Sequence, residues 1–67
     1  MRLFKTTKVD GRTKREVWVK PKDLFEIIVE SGKTYLHMYF PNIGFRQIRV
    51  QESPEEINER YAKALEN

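Results

Sequence analysis

The fold turns on the stretch Asp23-Leu24-Phe25-Glu26-Ile27-Ile28-Val29-Glu30-Ser31-Gly32-Lys33-Thr34-Tyr35-Leu36-His37-Met38-Tyr39-Phe40. It reads as two strands, 23–30 and 33–40, paired across Ser31-Gly32. In that register one face collects Phe25, Ile27, Val29, Leu36, Met38 and Phe40, which makes it the core face. The other face places Glu30 beside Lys33, Glu26 beside His37, Ile28 beside Tyr35 and Leu24 beside Tyr39. Opposite charges meeting directly across a pair of strands contribute roughly 0.2–1 kcal/mol each. A slip of one residue reverses every side chain and destroys both sets together, so the register is strongly specified.

On the C-terminal side, Pro41-Asn42-Ile43-Gly44 carries turn chemistry, with proline presetting φ and Gly44 or Asn42 tolerating positive φ. The chain returns as a strand over 45–50, with Ile48 and Val50 on one side and Phe45, Gln47 and Arg49 on the other. Ser53-Pro54-Glu55-Glu56 then has every part of a helix start. Ser53 is the N-cap, Pro54 takes the first helical position, and Glu56 closes a capping box. Ile57, Tyr61, Ala64 and Leu65 follow at helical spacing, so the helix 54–66 is amphipathic and lays its stripe on the sheet.

On the N-terminal side, Lys20-Pro21-Lys22 interrupts the ladder because proline donates no hydrogen bond. Residues 2–9 and 12–19 flank Asp10-Gly11, a type I′ hairpin signal. A two-residue loop there sets Val9 opposite Arg12, Thr7 opposite Lys14, Lys5 opposite Glu16 and Leu3 opposite Trp18. The base of this ribbon is apolar, and its tip carries Lys5, Lys8, Arg12, Lys14 and Arg15.

The expected fold class is therefore α+β. One domain, 1–67, comprises a basic β-hairpin 2–19, a meander 23–50 and a helix 54–66. It forms a small antiparallel sheet of four to five strands with the C-terminal helix on one face. The expected core is Phe25, Ile27, Val29, Leu36, Met38, Phe40, Ile48, Val50, Ile57, Tyr61 and Leu65.

Sixty-seven residues with no cysteine and one histidine leave little room for staples. A domain of this size buries only about 60% of the surface its unfolded chain exposes. Disulfides are excluded and a structural zinc nearly so, which makes self-association into a homo-oligomer the expected compensation. The start, Met1 to Lys5, lacks the apolar run of a signal peptide, and Ile27-Ile28-Val29 is far too short to cross a bilayer. A cytoplasmic protein with no membrane partner is the expectation.

The charges are sorted along the chain. Residues 1–22 carry a net of +6, residues 23–50 balance, and residues 51–67 carry −3. Catalysis is not expected. His37 beside Glu26 lacks a third member, and it reads as a surface imidazole paired with a cross-strand carboxylate. Glu55, Glu56 and Glu59 sit where a helix start favours acids, so they mark no metal site. No cofactor fingerprint is present, since none of the three glycines lies in a phosphate-cradling loop.

The basic hairpin fits nucleic acid. A two-stranded ribbon enters the major groove, and Lys5, Lys8, Arg12, Lys14 and Arg15 would gain affinity by releasing counterions from phosphates. Tyr35, Tyr39 and Arg49 on the second sheet face add stacking and base contacts. The alternative for the hairpin is a solvated, Lys-rich edge that resists aggregation. The alternative for the second face, with Leu24, Ile28, Tyr35, His37, Tyr39 and Phe45, is a seam for a protein partner or a second copy.

From about Val19 to Ile57 the chain resembles the flagellar-operon FlbD-like group of very short bacterial proteins and similarly sized phage proteins. The resemblance rests on Val19-x-Pro21-x-Asp23-Leu24, Thr34-x-Leu36 and Val50-x-Glu52-Ser53-Pro54-Glu55-Glu56-Ile57. It implies a short β-meander ending in a capped helix and carries no activity over. The long basic hairpin and the bulky Phe40–Phe45 connection depart from that pattern. The ending is also similar to CsrA-type RNA-binding regulators, small β-rich dimers with a C-terminal helix. Their N-terminal strand motif is absent, so none of their RNA-binding residues carries over. Two readings stand together: a non-catalytic nucleic-acid-binding or regulatory protein, and a protein-interaction module.

Overall fold

A computed structural model describes residues 1–66. Five strands, β1 (Phe4–Asp10), β2 (Thr13–Val19), β3 (Leu24–Glu30), β4 (Lys33–Phe40) and β5 (Gly44–Val50), precede a helix, α1 (Pro54–Leu65). They form one antiparallel sheet in the order β2-β1-β5-β4-β3, at the upper end of the four to five strands expected.

The central hairpin keeps the expected register from Glu26↔His37 to Glu30↔Lys33. Both turn residues have positive φ, Ser31 at 52° and Gly32 at 71°, as a type I′ turn requires. Among the described residues Ser31 is the one non-glycine residue in the left-handed region, where asparagine is better tolerated than serine. Ser31→Asn is expected to raise stability by about 0.5 kcal/mol, seen as a rise of roughly 2–4 °C in the thermal midpoint.

Nearer its start, β3 departs from that register. A bulge between Leu24 and Glu26 brings Leu24 opposite Met38 instead of Tyr39. Leu24 thereby joins the core side, where it packs against the buried cluster, and Phe25 is turned out. Phe25 at 66% and Val29 at 58% exposure are not core residues. Phe4 and Val19, from the apolar base of the first hairpin, are buried with Leu36, Met38, Val50, Ile57 and Ala64.

The first hairpin is also re-registered. Val9 lies opposite Lys14, Thr7 opposite Glu16 and Lys5 opposite Trp18. Only Gly11 takes positive φ (62°) in this turn, so the bend centres on Gly11-Arg12 and not on Asp10-Gly11. This is the geometry of a type II′ turn, which needs glycine at its first central position. The shift along β2 is two residues, so every side chain keeps its face.

β2 and β3 are the two edges of the sheet, yet only Lys20–Asp23 connect them, with Pro21–Asp23 in a 3-10 turn. Five flat strands would set those edges about 19 Å apart, and a linker so short and partly coiled spans roughly 12 Å. The sheet therefore curls, with its core residues on the concave side. The helix packs on β1, β3 and the 3-10 turn together, closing part of that concavity. Ser53 and Glu56 form the expected capping box, with Glu56 N–H donating to Ser53 Oγ at 3.2 Å and Ser53 N–H to Glu56 Oε1 at 3.0 Å. Of the helical stripe, Ile57 and Ala64 are buried, Tyr61 packs edge-on against Phe4, and Leu65 stays 46% exposed. No helix among the described residues is long and apolar enough to cross a membrane.

Candidate nucleic-acid interface

The basic ribbon is set free by the shortness of one seam. β1 pairs with β5 only at Lys8↔Val50 and Val9↔Arg49, so beyond Val9 β1 is hydrogen-bonded to β2 alone. Its cations divide between its two faces. Lys8 and Arg15 lie directly opposite each other on the concave side, and Lys14 lies opposite Val9 on the outer side. Arg12 stands in the turn. Among the described residues, no carboxylate oxygen lies within 4.0 Å of Lys8, Arg12, Lys14 or Arg15. Lys5 is different. It bridges Glu16 at 3.3 Å and sits 5.9 Å from the centre of the Trp18 ring, so its charge is already engaged.

Two like charges directly across strands destabilise a ladder. Lys8 opposite Arg15 is such a pair, and a bound anion would relieve it.

The outer face continues the ribbon by register. Val9 pairs with Arg49 and Arg49 with Tyr35, so Lys14, Val9, Arg49, Tyr35 and then Ile28 form one row across all five strands. The next row along β5 and β4 pairs Gln47 with His37. His37 is bracketed there by Gln47 Oε1 at 2.8 Å from Nε2 and by Glu26 Oε1 at 3.5 Å from Nδ1. It is held as the surface imidazole beside a cross-strand carboxylate that its sequence position suggests.

Beyond that row lies a separate aromatic group. Phe45 contacts Phe25 and Tyr39 edge-on, at centroid distances of 5.6 and 5.2 Å, and all three rings are exposed. Tyr39 therefore belongs with Phe25 and Phe45 and not with the cationic row. The expected interaction face changes in the same way: Ile28, Tyr35, His37, Tyr39 and Phe45 share the outer face, Leu24 leaves it for the core side, and Phe25 takes its place.

Behind the ribbon stands a buttress that sequence reasoning missed. Where β5 ends, Glu52 turns into the vacant edge of β1. Its Oε1 accepts from the Thr6 hydroxyl at 2.6 Å and the Thr7 N–H at 3.0 Å, and its Oε2 accepts from the Thr7 hydroxyl at 3.0 Å. Arg60 reaches from the helix to Glu52 Oε2 at 3.2 Å and donates to the Lys5 carbonyl at 2.7 Å. Thr7 N–H and Lys5 C=O are the groups a neighbouring strand would have paired, so two side chains complete the ladder. Burial opposes ionisation of Glu52, but the hydrogen bonds from Thr6, Thr7 and its own amide outweigh it and hold the carboxyl down at about 2. Glu52 is thus an anion at any ordinary pH, fixed beneath the cationic ribbon. The only signal for it in the sequence is a carboxylate just before the N-cap, and its threonine partners are 45 and 46 residues away.

On the concave side, a cleft of about 540 Å³ opens between β2 and the β4–β5 hairpin. Among the described residues no three His, Asp or Glu side chains gather as a metal site would need. Comparison of the chain with protein-family models, curated proteins and solved structures finds no match.

Proposed function

We propose that the protein is a small non-catalytic nucleic-acid-binding protein whose β1–β2 hairpin supplies phosphate contacts. The observation that carries this reading is the set Lys8, Arg12, Lys14 and Arg15. Among the described residues these four cations are free of carboxylate partners, on a ribbon whose tip parts from β5 beyond Val9. Cations on both faces of a two-stranded ribbon suit a groove, where phosphates lie on either side. Arg49 and Tyr35 extend the outer face of the ribbon as the next contacts, while Lys5 and Tyr39 serve the fold and the aromatic group.

Fluorescence anisotropy with short labelled duplex and single-stranded oligonucleotides tests the proposal. About four phosphate contacts give a slope of log K against log salt of roughly −3 to −4. Replacing Arg12, Lys14 and Arg15 together by Glu is expected to weaken binding by at least about 100-fold. Their side chains are exposed, so the thermal midpoint should hold. Binding that ignores salt, or survives this reversal, rules the hairpin out.

A second reading rests on a different observation, the exposed trio of Phe25, Tyr39 and Phe45 with Ile43 also exposed. Large exposed apolar groups gathered in one patch mark interaction surfaces. In this reading the patch docks a protein partner or a second copy. Light scattering of Phe25→Glu against the unaltered protein separates the two occupants. A dimer that dissociates identifies the seam between copies, and an unaltered monomer leaves only a partner.

A further inference from the structure

We propose that the concave cleft is a binding site for a small amphipathic anion, a carboxylate carried on an apolar body of about ten carbons. This goes beyond the hairpin's phosphate contacts, with which the cleft shares only Lys8. The walls are Val17, Val19, Met38, Phe40 and Ile48, all on the concave side of their strands by register. Val19 and Met38 belong to the buried core, and Val17, Phe40 and Ile48 are partly buried against it. The core thus runs out to the surface here, because the helix covers the β1 and β3 side of the concavity and leaves this side open.

The volume, about 540 Å³, lies within the range of small-molecule sites. An apolar cavity of about 150 Å³ holds one benzene, so a body of about ten carbons fits with its head at the mouth.

The rim selects the sign of that head. Lys8, Lys20 and Arg46 border the cleft against one carboxylate, Asp23. None of the three cations has a carboxylate within 4.0 Å among the described residues. Arg46 is held in place: its Nη1 donates to the carbonyls of Phe45 at 2.7 Å and Ile43 at 3.4 Å, which leaves its remaining N–H groups for an oxyanion. An apolar pocket with a fixed guanidinium and two lysines at its mouth complements an anion on a hydrocarbon tail.

The test uses three probes built on a ten-carbon chain, decanoate, decanol and decyltrimethylammonium, each below its micelle concentration or solubility limit. Binding is followed by the fluorescence of Trp18, which borders the cleft, by the methyl resonances of Met38 and Ile48, and by the ring resonances of Phe25, Tyr39 and Phe45. Saturable one-to-one binding of decanoate is expected, at least 10-fold tighter than decanol and with no binding of the cation. Arg46→Glu, at an exposed position, should weaken decanoate at least 10-fold and leave decanol unchanged. Ile48→Trp should fill the cleft and abolish both, with the thermal midpoint confirming that the variant folds. Arg12, Lys14 and Arg15 replaced by Glu should leave decanoate binding intact, which separates failure here from failure of the hairpin reading. Equal binding of all three probes, no saturation, or resonance shifts confined to Phe25, Tyr39 and Phe45 would overturn the proposal.

Discussion

Glu52→Ala is expected to lower the unfolding free energy by about 3 kcal/mol. The substitution strands the Thr6 hydroxyl, which is fully buried, together with the Thr7 amide, and it leaves Arg60 at Lys5 without its counter-ion. A chain of 67 residues has a total stability of only roughly 3–10 kcal/mol, so this variant approaches unfolding at 25 °C.

The same carboxylate sets the acid limb. Its folded value of about 2 lies below the ordinary 4.5, so the stability it contributes is fully present above pH 4.5 and lost as pH falls through 2. The gap corresponds to about 3 kcal/mol. Glu52→Gln keeps the shape and one acceptor oxygen while removing the titration. Urea unfolding at pH 7 and at points between 4.5 and 2 should show the variant weaker at neutral pH, with the difference closing in acid. A gap that stays constant with pH would assign the effect to packing alone.

Ile57→Ala is expected to cost about 2–4 kcal/mol, and Leu65→Ala less than about 1. Both residues lie on the same stripe of α1, yet Ile57 is wholly buried and Leu65 is 46% exposed. Ile57 anchors the first turn of the helix in the core beside Phe4 and Leu36, where truncation leaves a cavity that the curled sheet cannot collapse to fill. Leu65 ends the helix, where water replaces the lost methyls. Denaturant midpoints for the two variants check the contrast, and equal effects would contradict the packing described.

That contrast shows what local sequence carries. The fold class, the β3–β4 turn, the capping box and the Glu26–His37 pairing were legible because each depends on residues a few positions apart. The bulge at Phe25 was not, because periodicity over Asp23–Glu30 reads as an unbroken alternation and nothing in that stretch announces an extra residue. The burial of Phe4 and Val19 depends on the curl of the sheet, and the curl comes from a short connection between two edges that sequence alone does not identify as edges.

For the candidate interface, the cations were legible as a cluster and Glu16 as the partner of Lys5, but the register that brings Trp18 opposite Lys5 and Arg15 opposite Lys8 was not. Lys5 differs from Lys14 only through Glu16 and Trp18 across the ladder, and the register there turns on a single φ at Gly11. Asp10-Gly11 favours type I′ by composition. The conformation adopted moves the bend by one residue, and that shift decides which charges face one another.

The seam between β1 and β5 also bears on the order in which the chain assembles. The β3–β4–β5 meander joins neighbours in sequence and can form as soon as Val50 is in place. The first hairpin has no such option, because the groups that fasten it, Glu52 and Arg60, lie 45 and 55 residues from their contacts at Thr7 and Lys5. During synthesis the N-terminal ribbon would emerge first and dock last. In the finished protein the same seam is the place for reversible local opening. Amide exchange at Phe4–Thr7 should then quicken together with that of the helix, while Ile27, Leu36 and Ile48 remain protected.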